Sequence, residues 1–123
     1  MKYIPHAYQA YCERQIVEKP ALALWLDMGL GKTSITLSAV NELKFNRFEV
    51  QKVLVIAPKK VAEATWQAEA AKWDHTKHLR FSTVLGSLQK RIRAVNAPAD
   101  LYVINRDNVK WLVDYFRNGW PFD

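Results

Sequence analysis

Cysteine is nearly absent from this chain: Cys12 is the only one among 123 residues. An internal disulfide and a thiolate metal cluster are therefore excluded, and a reducing compartment suits the chain. Glycine and proline are also scarce, at four and five, and there is no Gly/Ser linker, low-complexity tract or internal repeat. No purely apolar run is longer than Ala21 to Leu26, far below the roughly 20 residues that span a bilayer. No apolar stretch of secretory length follows Lys2, so no signal peptide is visible. Acidic residues are in short supply, 12 against 18 basic, for a net charge of +6. What remains is half apolar and about a quarter charged, the composition of a cytosolic globular protein of single-domain size.

The positive charge is concentrated. Residues 1 to 50 carry six basic and five acidic groups, and residues 98 to 123 carry three and four. Residues 51 to 97 carry nine basic groups against three acidic: Lys52, Lys59, Lys60, Lys72, Lys77, Arg80, Lys90, Arg91 and Arg93. Such a block suits a polyanion, because neutralised phosphates release counterions. The plain alternative is a solvated surface that keeps the protein soluble.

Short apolar runs alternate with stretches of helical period. Ala21–Asp27 reads as a buried strand ending in a Gly-containing turn, and Lys32 to Lys44 as a helix with Ile35, Ala39 and Leu43 on one face. Val53–Ala57 is a second apolar strand, stopped by Pro58; Val61–Trp73 follows as a helix with Ala62, Trp66, Ala70 and Trp73 in a stripe. Arg80–Leu85 reads as a third strand, broken by Gly86, and Ser87–Asn96 as a basic helix with Leu88, Ile92 and Val95 inward. Leu101–Ile104 is a fourth strand, and Asp107–Asn118 a helix with Val109, Leu112, Val113 and Phe116 inward. Tyr3–Val17 leads as a helix with Tyr8, Tyr11 and Cys12 at helical spacing. Strand–helix alternation with apolar strands predicts an α/β fold: a mostly parallel sheet with helices on both faces.

The most specific feature is Asp27-Met28-Gly29-Leu30-Gly31-Lys32-Thr33, set between a strand and a helix. Glycines let backbone N–H groups curl around phosphate oxygens, and the helix that follows turns its positive end to the same anion. Lys32 would neutralise the β- and γ-phosphates, and the Thr33 hydroxyl would ligate Mg²⁺. The candidate nucleotide-binding residues are thus Met28, Gly29, Leu30, Gly31, Lys32, Thr33 and Ser34; Lys32 and Thr33 are the catalytic candidates and Thr33 the metal ligand. The first glycine of the general phosphate-loop pattern would fall at position 26, which is Leu26. The G-x-G-K-T core is complete all the same, and it arises by chance in about one chain of this length in a few hundred.

These residues resemble the phosphate loop of the Swi/Snf-type branch of superfamily-two DNA translocases, the chromatin-remodeller-like ATPases. Three further blocks resemble that family in order. Pro5-His6-Ala7-Tyr8-Gln9 is similar to its adenine-recognising motif, which implies Gln9 as the base-reading residue and ATP as the nucleotide. Val53–Pro58 followed by Trp66, Glu69 and Trp73 resembles its Ia block, and Leu101–Asn108 its Ib strand and polar turn. The resemblance covers about Pro5 to Asn108 and implies a RecA-like first lobe. It makes Pro58, Lys59, Lys60, Asn105 and Arg106 candidate contacts to the DNA backbone, most simply of a duplex. Trp66 and Trp73 are assigned to packing, because their spacing matches a buried face. His75 and His78 lack an obvious third metal ligand.

Hydrolysis needs a further strand ending in Asp-Glu, one carboxylate for Mg²⁺ and one for the attacking water. No strand of this chain ends so. In the resembled family that strand follows the helix matching Asp107–Asn118. The expectation is therefore an incomplete lobe over residues 1–123, cut before its acidic strand, which binds nucleotide without turnover. Its partners would be DNA and the remainder of a two-lobed ATPase. Two other readings stand beside this one: a non-catalytic nucleic-acid-binding module with a vestigial phosphate loop, and a small P-loop phosphotransferase. The latter needs a glycine at position 26, an arginine-rich lid and an acceptor carboxylate, none of which is found.

Overall fold

The computed structural model describes residues 1–19, 21–23, 31–117 and 119–123. The chain divides into two compact units: a helical unit, Met1–Val50 with Ala68–His78, and a sheet unit, Gln51–Gln67 with Leu79–Asp123.

In the helical unit, α1 (Ala7–Glu18) packs along α2 (Lys32–Asn41), which continues into a π-helical turn, Glu42–Asn46. The expected leading helix starts at Ala7 rather than Tyr3. Its buried positions are Gln9 and Cys12, while Tyr8 and Tyr11 are exposed. The aromatic spacing misled because the polar Gln9 is the residue turned inward, where its Oε1 accepts the His6 N–H at 2.8 Å and so caps its own helix. Helix α2 buries nearly its whole circumference: Ser34, Ile35, Leu37, Ser38, Ala39 and Val40. Of the strand expected over Ala21–Asp27, Ala21, Leu22 and Ala23 are irregular and exposed, and residues 24–27 lie outside the described residues.

The sheet unit holds three parallel strands, β1 (Val53–Ala57), β2 (Phe81–Val84) and β3 (Leu101–Asn105), in the order β1-β3-β2. All five residues of β3 are buried, as a near-continuous apolar central strand should be. Along β1, by contrast, Ile56 is exposed, so this strand is not enclosed on both faces. Helix α3 (Trp66–Lys72) is preceded by a π-helical turn, Val61–Thr65. Helix α4 (Leu88–Asn96) packs on β2, and Ser87 is its N-cap rather than its first residue. A short 3₁₀ turn, Arg106–Asn108, leads into α5 (Val109–Phe116).

Val84, Val95, Ala99, Tyr102, Ile104, Leu112 and Phe122 form one apolar cluster, joining β2, α4, β3 and α5. Two side chains expected inward are not: Leu88 and Val113 are each about half exposed. Leu88 sits in the first turn of α4, whose side chains lean back toward the N-terminus and away from the strands below. Val113 lies beside the buried Leu112 at the margin of a stripe narrower than the sequence period suggests. Asp100 is enclosed just before β3, and its Oδ2 accepts the Arg80 N–H at 2.8 Å, which ties the start of β2 to the start of β3. Among the described residues no helix is long and apolar enough to cross a membrane.

Candidate nucleotide and nucleic-acid sites

Met28, Gly29 and Leu30 of the expected phosphate loop lie outside the described residues, as does Asp27. Its last glycine and the helix start are described. Gly31 is the N-cap of α2 in the left-handed region, at φ 80°. Two groups fold back onto its carbonyl: the Ile35 N–H and the Ser34 hydroxyl, each at 2.9 Å. The Ser34 hydroxyl proton therefore goes to the turn itself. Lys32 is exposed and Thr33 half-buried in the first turn, where backbone N–H groups have no partner within the helix and the helix dipole favours an anion.

Gln9 comes to this point from the first turn of α1. A Cβ placed on Gly31 would collide with Gln9 Nε2 and stand 3.0 Å from Ser34 Oγ. The two sequence blocks assigned to phosphate and to base thus meet at a glycine whose left-handed backbone disfavours a side chain and whose nearest neighbour is the Gln9 amide. A cavity of about 390 Å³ opens beside them, lined by Tyr3, His6, Tyr8, Gln9, Gly31 and Trp73 among others. That volume lies in the range of small-molecule sites. His6 and Tyr8 stack at 5.9 Å with their planes 7° apart.

The wall of this cavity was not legible in the sequence. The Tyr3 ring stands between Trp73, edge-on at 5.1 Å, and His75, stacked at 4.8 Å. Burial pushes the Tyr3 hydroxyl above its ordinary 10.0. Trp73 donates from Nε1 to Glu69 at 3.0 Å and carries Lys72 over its face at 4.9 Å, a packing role of the kind its spacing suggests. His75 Nε2 shares a 2.7 Å hydrogen bond with Ser38 of α2. Burial lowers the His75 pKa below its ordinary 6.5; the charge of His78 adds to this, and Asp74 opposes it. His78 sits edge-on to Phe45 at 4.9 Å. Among the described residues, no three His, Cys, Asp or Glu side chains cluster to hold a metal ion.

The second candidate site belongs to the sheet unit. Strands β1 and β3 run parallel with Ala57 opposite Asn105, so the segments that follow them emerge on the same edge. A cleft of about 220 Å³ forms there, lined by Pro58, Lys59, Asn105, Arg106 and Asp107. Four of the five residues expected to contact nucleic acid are thereby brought together; Lys60 is exposed next to them in the chain but does not line the cleft. Asn105 is buried, and its Oδ1 accepts from Asn108 Nδ2 at 2.6 Å. Two cations with one carboxylate, Asp107, give the cleft a net positive lining.

Comparison with known proteins bears on the family and the fold. The SNF2-related domain family matches residues 9–114. Protein p41 of Acyrthosiphon pisum secondary endosymbiont phage 1 is 36% identical over 121 residues, which is 98% of this chain and 26% of that protein. The solved SWI2/SNF2 ATPase core of Sulfolobus solfataricus, in complex with double-stranded DNA, superposes with a TM-score of 0.68 at 26% identity, over 89% of this chain and 24% of the other. The chain thus spans about a quarter of the length of each relative. Its α/β architecture with a small parallel sheet is that of the RecA-like lobe of the ATPase core. The chain belongs to the SNF2-related domain family, the Swi/Snf-type branch of the superfamily-two ATPases.

Proposed function

We propose that this chain is the nucleotide-binding part of the first lobe of a DNA-dependent superfamily-two ATPase. Residues 28–34 hold the phosphates of ATP, with Lys32 on the β- and γ-phosphates and Thr33 presented to Mg²⁺. When bound, Mg²⁺ would supply positive charge that offsets the phosphates. Gln9 reads the adenine edge from the cavity beside Gly31. Pro58, Lys59, Lys60, Asn105 and Arg106 meet the backbone of duplex DNA, a contact that is indifferent to sequence. Domain-wise, residues 1–123 correspond to the N-terminal ATP-binding lobe. The chain's own residues bind and orient; its sequence contains no Asp-Glu pair to position a water, so turnover is not expected of it alone.

The observation that carries this reading is the meeting of Gln9 with Gly31, where a Cβ would strike the Gln9 amide. A turn that merely capped a helix would not need a distant glutamine against it, or a cavity of nucleoside size alongside. Calorimetric titration tests the proposal. ATP with Mg²⁺ should bind more tightly than GTP, Lys32→Ala should weaken ATP by at least about tenfold, the loss of one charge-assisted contact, and Gln9→Ala should erase the preference for ATP over GTP. An unmodified chain that ignores ATP would leave the vestigial-loop reading in its place.

A further inference from the structure

The turn that carries Asn105 and Arg106 is braced from elsewhere in the sheet unit. Arg91 lies on α4 between Lys90 and Arg93, two sequence neighbours whose flanking cations are exposed while it is half-buried. Its Nη1 donates to the Gly86 carbonyl at 3.1 Å, in the turn after β2, and to Asn108 Oδ1 at 3.2 Å. Its guanidinium also lies over the Trp111 ring at 4.8 Å. Asn108 in turn donates to Asn105 Oδ1, on the lining of the cleft. One chain of contacts, Gly86 to Arg91 to Asn108 to Asn105, therefore joins the turn after β2 to the turn after β3. It uses what arginine has and lysine lacks: a planar guanidinium that can lie over an indole while one of its nitrogens, Nη1, bonds at the edge.

We propose that Arg91 is a positioning residue of the cleft, holding Asn105 and Arg106 in the arrangement that receives a backbone phosphate without touching phosphate itself. This rests on the DNA reading above. It separates Arg91 from the other cations of the basic stretch: Lys59 and Arg106 line the cleft, whereas Arg91 shapes it.

The test measures binding of the whole chain to a fluorescent DNA duplex across a salt series, beside amide hydrogen exchange at residues 105–109 of the free protein. Arg91→Lys keeps the charge and loses the planar guanidinium. It should weaken binding by about tenfold, the scale of one broken hydrogen-bonded network, with the salt slope unchanged and with faster exchange in the turn. Asn108→Ala should give a similar loss, and the double variant no more than the worse single one. Lys59→Ala should instead lower the salt slope by about one. Wild-type binding by Arg91→Lys, or unaltered exchange at residues 105–109, would overturn the positioning role. So would an Arg91→Ala variant whose salt slope drops by about one, because Arg91 would then meet phosphate directly. An unmodified chain with no affinity for duplex would instead overturn the DNA reading, and the phosphate clause with it, while faster exchange in Arg91→Lys would still uphold the brace.

Discussion

The sheet unit encloses Val84, Leu101, Tyr102, Val103, Ile104 and Leu112, whereas the helical unit encloses Gln9, Ser34, Ser38 and Thr76 beside Ile35, Leu37 and Ala39. Their charges differ in the same sense. The helical unit has eight basic and seven acidic residues, and the sheet unit ten and five. One unit therefore keeps its polar chemistry inside, around a left-handed glycine and a capped helix. The other has a mostly apolar interior, with Asp100 and Asn105 as buried polar side chains, and carries its excess charge on the rim. The small-molecule site proposed at Gln9 and Gly31 lies in the first kind of environment, and the proposed contact with an extended polyanion in the second.

This contrast can be broken experimentally. The largest expected effect is in the sheet interior: Leu101→Ala, at a fully enclosed position of the central strand, should cost about 2–5 kcal/mol, read as a lower urea midpoint at constant slope. A cost below about 1 kcal/mol would mean that the strand is not the tightly packed core described. Next comes the rim. Reversing Lys59 and Lys60 to Glu should weaken duplex binding by about thirtyfold at low salt and flatten the salt dependence, with stability nearly untouched because both are exposed. Unchanged affinity would return the lysines to simple solubilising charge. The smallest effect concerns the polar interior. Since the folded pKa of His75 lies below its unfolded value of 6.5, its neutral form is favoured by folding. The stability it contributes is present above that pH and is lost as the pH falls through the folded value. Thermal melts should show this decline, and His75→Gln should flatten it. A parallel decline in the variant would assign the pH dependence to other groups.

How far the sequence could be read depended on the range of the contacts involved. Strand β1 was legible to the residue, because Val53–Ala57 is an unbroken apolar run stopped by Pro58. Strand β3 was legible to within one residue, and the start of α2 at Lys32 followed from the glycine before it. The in-register ends of β1 and β3 brought Pro58 and Lys59 to Asn105 and Arg106, as the order of the blocks suggested. Helix faces were read less well. Period alone fixes where a stripe lies but not how wide it is, so Leu88 and Val113 were assigned inward wrongly, and Gln9 was buried where hydrophobicity favoured Tyr8 and Tyr11. The Tyr3–Trp73–His75 stack and the Arg91 brace had no local signature at all. Each depends on residues far apart in the chain meeting across a turn, and nothing in their own neighbourhoods marks them.

The strand order β1-β3-β2 also constrains how the sheet assembles. The middle position belongs to the strand that is last in sequence among the three, so among the described residues β1 and β2 have no hydrogen-bonded strand partner until residues 101–105 arrive between them. Pairings this distant along the chain are slow to form, and strand edges left open in the meantime invite association with other chains. On a ribosome, the basic segment that follows β1 would be made and exposed well before the sheet that orders it. Its excess of lysine and arginine would then act as a guard against aggregation during synthesis.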